Sequence, residues 1–173
     1  PQEQRDPAWA YWKARAMAAR APAGPEGDAA RNSARETLLA ISSPFNFYGM
    51  LATEELGNKV TLPPAPAVLT TAEREAPRQQ QGFQRALQLI SLGLRSEGVR
   101  EWNFTLRGLQ DRELLAAAAW ACEREVWDRC INTSDRSQVE VDLAQRYPTP
   151  HRELLEAKAR AGGLDPALVY GLI

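Results

Sequence analysis

The chain has 173 residues, of which 44% are hydrophobic and 25% charged, enough for a packed core in one domain or two small ones. Its 21 basic and 22 acidic residues give a formal net charge of -1, which argues against a large positive field for nucleic acid or an anionic membrane. No apolar run approaches the roughly 20 residues that span a bilayer, so no membrane span is expected.

Helical spacing dominates from the start of the chain, and strand-like alternation is nearly absent. Asp6 and Pro7 are typical of a helix start, and Trp9, Trp12 and Ala16 follow at spacings of three and four. The pattern predicts an amphipathic helix to about residue 20, with the two tryptophans packed between helices.

Two further helices are predicted before residue 57. Prolines and glycines in 21–27 end the first helix, and a second over about 28–41 presents Ala34, Leu38 and Ile41 on one side, so the two should form a hairpin. Ser43 and Pro44 precede a third helix, which Gly57 ends. Its expected apolar stripe consists of Phe45, Tyr48, Leu51, Ala52 and Leu56.

The rest of the chain also favours helices. Residues 62–66 contain three prolines and predict an extended connector, followed by a possible short helix near Ala72. Further helices are expected at about 81–94, 96–107, 111–124, 126–133, 138–147 and 152–161. Their connections are short, so sequential helices should pack as antiparallel neighbours.

The last segment begins a helix without a signal that ends it. Asp165 is suited to the N-cap and Pro166 to the first turn. Neither a C-cap glycine nor a basic last turn is expected to end the helix before Ile173. We therefore expect the sequence to be part of a longer protein.

A weak internal repeat joins two parts of the second half at an offset of 28 residues. It pairs Leu87 with Leu115, Gly93 with Ala121, Leu94 with Cys122, Val99 with Trp127 and Trp102 with Cys130. Coinciding small and apolar positions are typical of stacked helical hairpins, which by themselves imply no chemistry.

Cys122 and Cys130 are the only cysteines. On one continuous helix their Cα atoms would lie about 12 Å apart, too far for a disulfide, but a turn between them would bring them closer. In the repeat they correspond to Leu94 and Trp102, which should touch across the turn at 95–96. The residues alone leave two alternatives open, a disulfide or two buried free thiols.

Candidates for catalysis are few. His151 is the sole histidine and is expected to be structural or exposed, and with two cysteines it supplies too few ligands for a metal site. The carboxylates, among them Glu54, Glu55, Glu73, Glu75, Glu123, Glu125, Glu140 and Asp142, lie among polar residues and should be solvated. A general acid would need an apolar pocket that raises its pKa, so no catalytic residue, cofactor or metal ligand is predicted.

Aromatic residues could instead hold sugars by stacking. Trp9, Trp12, Trp102, Trp120, Trp127, Phe45, Phe47 and Tyr48 all occur at helical core spacing, so packing between helices is the expected role of each.

Four segments in order resemble the soluble lytic murein transglycosylase family. Residues 45–57 look like a signature of its helical superhelix, and 87–102 resemble its linker region. Residues 146–154 look like the junction into the catalytic domain, and 164–173 resemble the helix whose next residues, in the family, carry the catalytic glutamate and a serine.

The resemblance implies an all-α fold of stacked antiparallel helical hairpins forming part of an α-superhelix. It implies that 1–76 end the superhelical domain, 77–145 form the linker domain and 146–173 begin a lysozyme-like catalytic domain. The family cleaves the bond between N-acetylmuramic acid and N-acetylglucosamine in peptidoglycan, with a 1,6-anhydro ring as product.

The same resemblance implies a scaffold that guides glycan strands in the periplasm. No residue of 1–173 matches the catalytic glutamate, so the chain alone should be inactive. Periplasmic residence favours a disulfide between Cys122 and Cys130. A helical-repeat binding module of the tetratricopeptide type, without enzymatic activity, is the competing interpretation.

Overall fold

The computed structural model describes residues 6–172, and these contain helices and no strand. The predicted all-α class is therefore confirmed. The helices are α1 (Pro7–Arg20), α2 (Pro25–Ile41), α3 (Phe47–Glu55), α4 (Thr71–Gln79), α5 (Gln81–Ser91), α6 (Arg95–Thr105), α7 (Asp111–Glu123), α8 (Trp127–Ser134), α9 (Leu143–Arg146), α10 (Arg152–Ala161) and α11 (Pro166–Tyr170). None of these described helices is long and apolar enough to cross a membrane.

The chain divides into two compact units, 1–63 and 64–173, which are described separately. The extended segment 58–70 spans this division and includes the predicted connector. Because α4 packs against α7, it belongs with the second unit. The finer division at 76/77 and 145/146 remains a prediction.

The first unit consists of the α1–α2 hairpin with α3 packed against it. Asp6 caps α1 because its carboxylate accepts a hydrogen bond from the Ala8 amide at 2.8 Å, and Pro7 occupies the first turn. The core lies between the three helices and is formed by Tyr11, Ala14, Ala34, Leu38, Ala52 and Leu56.

The predicted burial of four aromatic residues in this unit is wrong. Trp9 is 68% exposed, Trp12 is 53% exposed and Phe47 is 62% exposed. Phe45, expected in the apolar stripe of the third helix, is 39% exposed and precedes α3, which Asn46 caps. On α1 a second stripe, Tyr11 and Ala14, faces the core instead. The small Ala14 side chain allows close helix packing, and the spacing of apolar residues alone cannot decide between two such stripes on one helix.

The second unit is built on two hairpins, α5–α6 and α7–α8. One buried cluster runs through both and consists of Phe83, Ala86, Trp102, Leu106, Leu114, Ala117, Ala121 and Cys130. The rings of Phe83 and Trp102 lie 4.6 Å apart between centroids. The buried Trp102 indole donates a hydrogen bond to the Thr133 hydroxyl at 2.8 Å, so its polar atom is satisfied.

Both hairpins turn in the same way, at an offset of 32 residues and not the predicted 28. In the first, the Leu94 amide bonds to the Leu89 carbonyl and Gly93 has φ 82°. In the second, the Val126 amide bonds to the Ala121 carbonyl and Glu125 has φ 57°. Each turn is a Schellman motif. The two offsets differ by four residues, about one helical turn, which preserves most of an apolar pattern.

This register explains how each hairpin closes. A Cβ atom on Gly98 would lie 2.6 Å from the Ala86 carbonyl oxygen and 2.6 Å from Ile90 Cγ1, so α5 and α6 are close enough to require glycine there. Cys122 lies 32 positions after Ile90, and Cys130 lies 32 positions after Gly98. The cysteines therefore correspond to the close contact of the first hairpin, and not to Leu94 and Trp102.

The Gly98→Ala substitution tests the close approach of α5 and α6. Overpacking costs about 1 to 3 kcal/mol, and the better helix propensity of alanine offsets this only in part, by about 1 kcal/mol. We expect the free energy of unfolding, measured by urea denaturation, to fall by up to about 2 kcal/mol.

Gly162→Ala is the matched control. Gly162 has φ -86°, and a Cβ there would meet only backbone oxygens at an ordinary 3.5 Å. A similar loss of stability in both variants would contradict the packing explanation.

Candidate functional site

Arg112, in the first turn of α7, is the centre of an ion-pair network in the second unit. Its Nε and Nη2 atoms donate hydrogen bonds to the two carboxylate oxygens of Glu73 at 2.7 and 2.8 Å. Its Nη1 donates to Glu140 at 3.1 Å and to the Ala67 carbonyl at 2.7 Å. One guanidinium thus holds together α4, α7, the extended connector and the segment after α8.

Glu73 is held on its other side by the start of α4. The Thr70 amide donates to its carboxylate at 2.7 Å, while the Glu73 amide donates to the Thr70 hydroxyl at 3.2 Å, which forms a capping box. The hydrogen bonds from Arg112, with those from Thr70, lower the pKa of Glu73 to about 2. The expectation that Glu73 and Glu140 are simply solvated is wrong, since both are partly buried and paired with Arg112.

Asp111 organises the segment that follows α8. Its carboxylate accepts hydrogen bonds from the amides of Gln138, Val139 and Glu140, at 2.6 to 3.0 Å. These three backbone bonds lower the pKa of Asp111. The helix predicted over 138–147 is therefore too long: its first amides are bound to Asp111, and α9 begins only at Leu143, after the Asp142 cap.

Sequence reasoning missed Asp111 and Arg112. The Thr70 to Glu73 spacing is a capping-box signature and could have indicated where α4 begins. No local pattern indicates that Arg112 reaches Glu140, because those residues are 28 positions apart and meet only through the fold.

An open cleft of about 720 Å³ lies in the second unit between α8, the segment after α9, α10 and α11. Its walls are largely apolar and aromatic, with charged groups at a few points. The lining residues are Trp127, Ile131, Arg146, Tyr147, Pro148, Thr149, Pro150, Arg152, Glu156, Pro166, Ala167, Tyr170 and Gly171.

Polar contacts fix the shape of the cleft. The Tyr170 hydroxyl donates to the Pro150 carbonyl at 3.1 Å and connects α11 to the segment before α10. Glu156 accepts hydrogen bonds from Arg152 and Arg160, both at 2.7 Å. The bond from Arg152 is the main cause of a lowered Glu156 pKa. Glu156 is therefore the ion-pair partner of two guanidinium groups.

The histidine and the two cysteines considered from the sequence do not line this cleft. His151 is exposed, with φ 52°, at the N-cap of α10. Cys122 and Cys130 are joined by a disulfide with a Cα–Cα distance of 5.0 Å. Cys130 Sγ lies 3.3 Å from the carbonyl oxygen of Gln145, in α9. Residues 6–172 contain no cluster of three metal-ligating side chains.

The pH dependence of stability should reflect the Arg112–Glu73 pair. The folded pKa of Glu73 lies below its usual 4.5, so the pair stabilises the fold above that value and is lost as pH falls from about 4.5 toward about 2. We expect Glu73→Gln to have a melting temperature that changes less than the wild type's across this range.

The matched control for this measurement is Glu97→Gln. Glu97 is half exposed and pairs with Arg100 on its own helix. Equal slopes of melting temperature against pH in the wild type and the Glu73 variant would contradict the assignment.

Reduction should destabilise the α7–α8 hairpin. Because the disulfide closes a loop of 8 residues, the chain-entropy model predicts a loss of about 2 to 3 kcal/mol in the free energy of unfolding. The measurement is urea denaturation with and without a thiol reductant. The Cys122→Ala/Cys130→Ala variant should be insensitive to the reductant, and a wild type equally insensitive would contradict the prediction.

Comparison with known proteins identifies the architecture. The sequence profile of the soluble lytic murein transglycosylase L domain matches residues 76–139. The soluble lytic murein transglycosylase of Salmonella typhimurium is 25% identical over 166 residues, which is 95% of this chain and 24% of that protein.

Two solved structures have the same arrangement of helices. An inactive mutant of the lytic transglycosylase Slt from Pseudomonas aeruginosa matches with a TM-score of 0.66 and 25% identity, over 98% of this chain and 27% of Slt. A 70-kDa soluble lytic transglycosylase in complex with bulgecin A matches with a TM-score of 0.64 and 19% identity, over 98% and 26%.

The chain spans about a quarter of the length of these relatives. The likeness of fold confirms the predicted class of stacked hairpins from a helical superhelix. The profile match, the Salmonella relative and the Pseudomonas structure support the sequence resemblance to the soluble lytic murein transglycosylase family.

Proposed function

We propose that this chain is the scaffold and substrate-guiding part of a periplasmic lytic transglycosylase. In this proposal the parent protein cleaves the bond between N-acetylmuramic acid and N-acetylglucosamine in peptidoglycan and forms a 1,6-anhydro ring. The observation that carries the proposal is the order of two features: an L-domain match over 76–139, followed by the 146–171 segment that forms the cleft walls.

The lining of the cleft supports the guiding role. Trp127, Tyr147 and Tyr170 offer aromatic rings to the apolar faces of sugars, and Arg152 offers hydrogen-bond donors to their hydroxyl and carboxylate groups. Tyr170 is held by its bond to Pro150, so its ring does not have to be ordered when a ligand binds.

The electrostatics support the proposal that the chain alone is inactive. A general acid needs a raised pKa, whereas Glu73, Asp111 and Glu156 all have lowered values. Each of these carboxylates is bound by guanidinium or backbone N–H groups and stabilises the framework. We therefore assign the proton-transferring role of the family to none of these three carboxylates.

In the proposed reaction the substrate supplies its own nucleophile. A glutamate outside 1–173 protonates the glycosidic oxygen, then acts as the base while the muramoyl 6-hydroxyl attacks C1 and closes the anhydro ring. The contribution of this chain is to hold the glycan in one position and orientation. The Cys122–Cys130 bridge suits the oxidising periplasm.

The test is the release of anhydromuropeptides from purified murein, analysed by mass spectrometry. The longer parent polypeptide should release them and the 173-residue chain should not. Release by the short chain would overturn the assignment of the catalytic residue. A parent polypeptide that binds but never cleaves murein would support a binding module without activity.

A cleft variant sharpens the test in the parent polypeptide. Tyr147→Ala should lower the rate of release at low murein concentration by about tenfold, because an exposed ring that stacks on sugar contributes about 1 kcal/mol or more. Phe104→Ala removes an equally exposed ring outside the cleft and should leave the rate unchanged.

A further inference from the structure

Two segments of the second unit lack regular secondary structure and are held by side chains from the first turn of α7. One is the extended segment 64–70, which precedes α4. The other is the segment 138–142, which follows α8 and precedes α9. Because neither segment belongs to a helix, the order of each depends on the groups that bind its backbone and side chains.

Arg112 binds the extended segment 64–70 from two directions. Its Nη1 donates a hydrogen bond to the Ala67 carbonyl at 2.7 Å, and its Nη2 donates to the Val68 carbonyl at 3.4 Å. It also binds the Glu73 carboxylate, which accepts a hydrogen bond from the Thr70 amide at 2.7 Å. The guanidinium therefore fixes the segment directly at two carbonyls and through Glu73 at its end.

The same guanidinium reaches the segment 138–142. The Nη1 atom that binds Ala67 also donates to the Glu140 carboxylate at 3.1 Å. The Glu140 amide donates to the carboxylate of Asp111 at 3.0 Å, so two adjacent residues of α7 hold the side chain and the backbone of Glu140. One nitrogen atom is thus shared by two segments that are far apart in sequence.

The segment 138–142 leads directly to the wall of the cleft. Asp142 caps α9, and the side-chain amide of Gln145 donates to the Leu115 carbonyl of α7 at 3.0 Å. Arg146 and Tyr147, the next two residues, line the cleft. The helix that holds the extended segment 64–70 therefore also holds the backbone that carries this part of the cleft wall.

The geometry of a guanidinium makes these contacts depend on one another. The group is planar and its N–H bonds have fixed directions, so one orientation must satisfy all of its acceptors. The side chains of Arg112, Glu73 and Glu140 are only 27%, 31% and 32% exposed, which limits the water available to replace a lost partner. Movement of one segment therefore disturbs the bonds that Arg112 makes to the other.

We propose that Arg112 is a positioning residue that couples the two segments, so that ordering 64–70 also orders 138–142 and the cleft wall that follows. Because coupling between two sites is reciprocal, loosening either segment loosens the other. This coupling does not depend on which ligand the cleft binds, and it goes beyond the proposed function.

Native-state hydrogen exchange of the whole chain, followed by NMR, tests the coupling by changing one segment and measuring the other. The Thr70 amide reports on 64–70, and the amides of Val139 and Glu140 report on 138–142. Glu140→Gln should accelerate exchange at Thr70, and Glu73→Gln should accelerate exchange at Val139 and Glu140. Each acceleration should be about threefold or more, as for residues of one hydrogen-bond network.

The role of the guanidinium is tested by repeating both substitutions in Arg112→Gln and in Arg112→Lys. Glutamine removes the charge, whereas lysine keeps the charge but replaces three donor nitrogen atoms by one. In both backgrounds Glu140→Gln should no longer affect Thr70, and Glu73→Gln should no longer affect Val139. Cross effects that persist without the guanidinium, or that are absent when Arg112 is present, would overturn the inference.

Glu101→Gln is the matched control. The Glu101 side chain is 27% exposed and accepts two hydrogen bonds from Arg85 across the α5–α6 hairpin, so an ion pair of the same kind is lost outside the network. Exchange at Thr70 and Val139 should not change in this variant. The buried Ala121 amide of α7 reports opening of the whole unit. An equal acceleration at Ala121 in the Glu73 and Glu140 variants would show general destabilisation and would also overturn the inference.

Discussion

The close approach of paired helices is the constraint on which the second unit depends. Both hairpins have a Schellman turn at equivalent positions of the repeat. In each hairpin the two helices approach each other closely about one helical turn beyond that Schellman turn. Gly98 against Ile90 provides this close approach in one hairpin, and the Cys122–Cys130 bridge provides it in the other. The buried cluster from Phe83 to Cys130 fills the space that these two contacts define.

Much of this fold could be predicted from the sequence, because caps, prolines and apolar spacing are local signals. They indicated most helices to within a few residues. The errors arose where tertiary contacts decide. A four-residue slip hid the true repeat, and Asp111 removed the first turn of the helix expected at 138. On α1, two apolar stripes competed, and only the small Ala14 shows which one faces the core.

The candidate site was predictable only in part, for a related reason. The resemblance predicted that residues 146–173 begin a catalytic domain. The cleft itself, however, depends on Trp127 from another helix and on the hydrogen bond from Tyr170 to Pro150. The charged residues of the second unit that spacing could not place act in its framework. Glu73, Asp111 and Glu156 are each bound by partners within this unit and maintain its shape.

The two hairpins turn in the same way but differ in whether they need oxidation to reach their final form. The close contact at Gly98 requires no oxidation, so the α5–α6 hairpin can reach its final form under reducing or oxidising conditions. The α7–α8 hairpin reaches its final form only after two electrons have been passed to an acceptor. The first hairpin is therefore independent of the redox state of its surroundings, whereas the second depends on it.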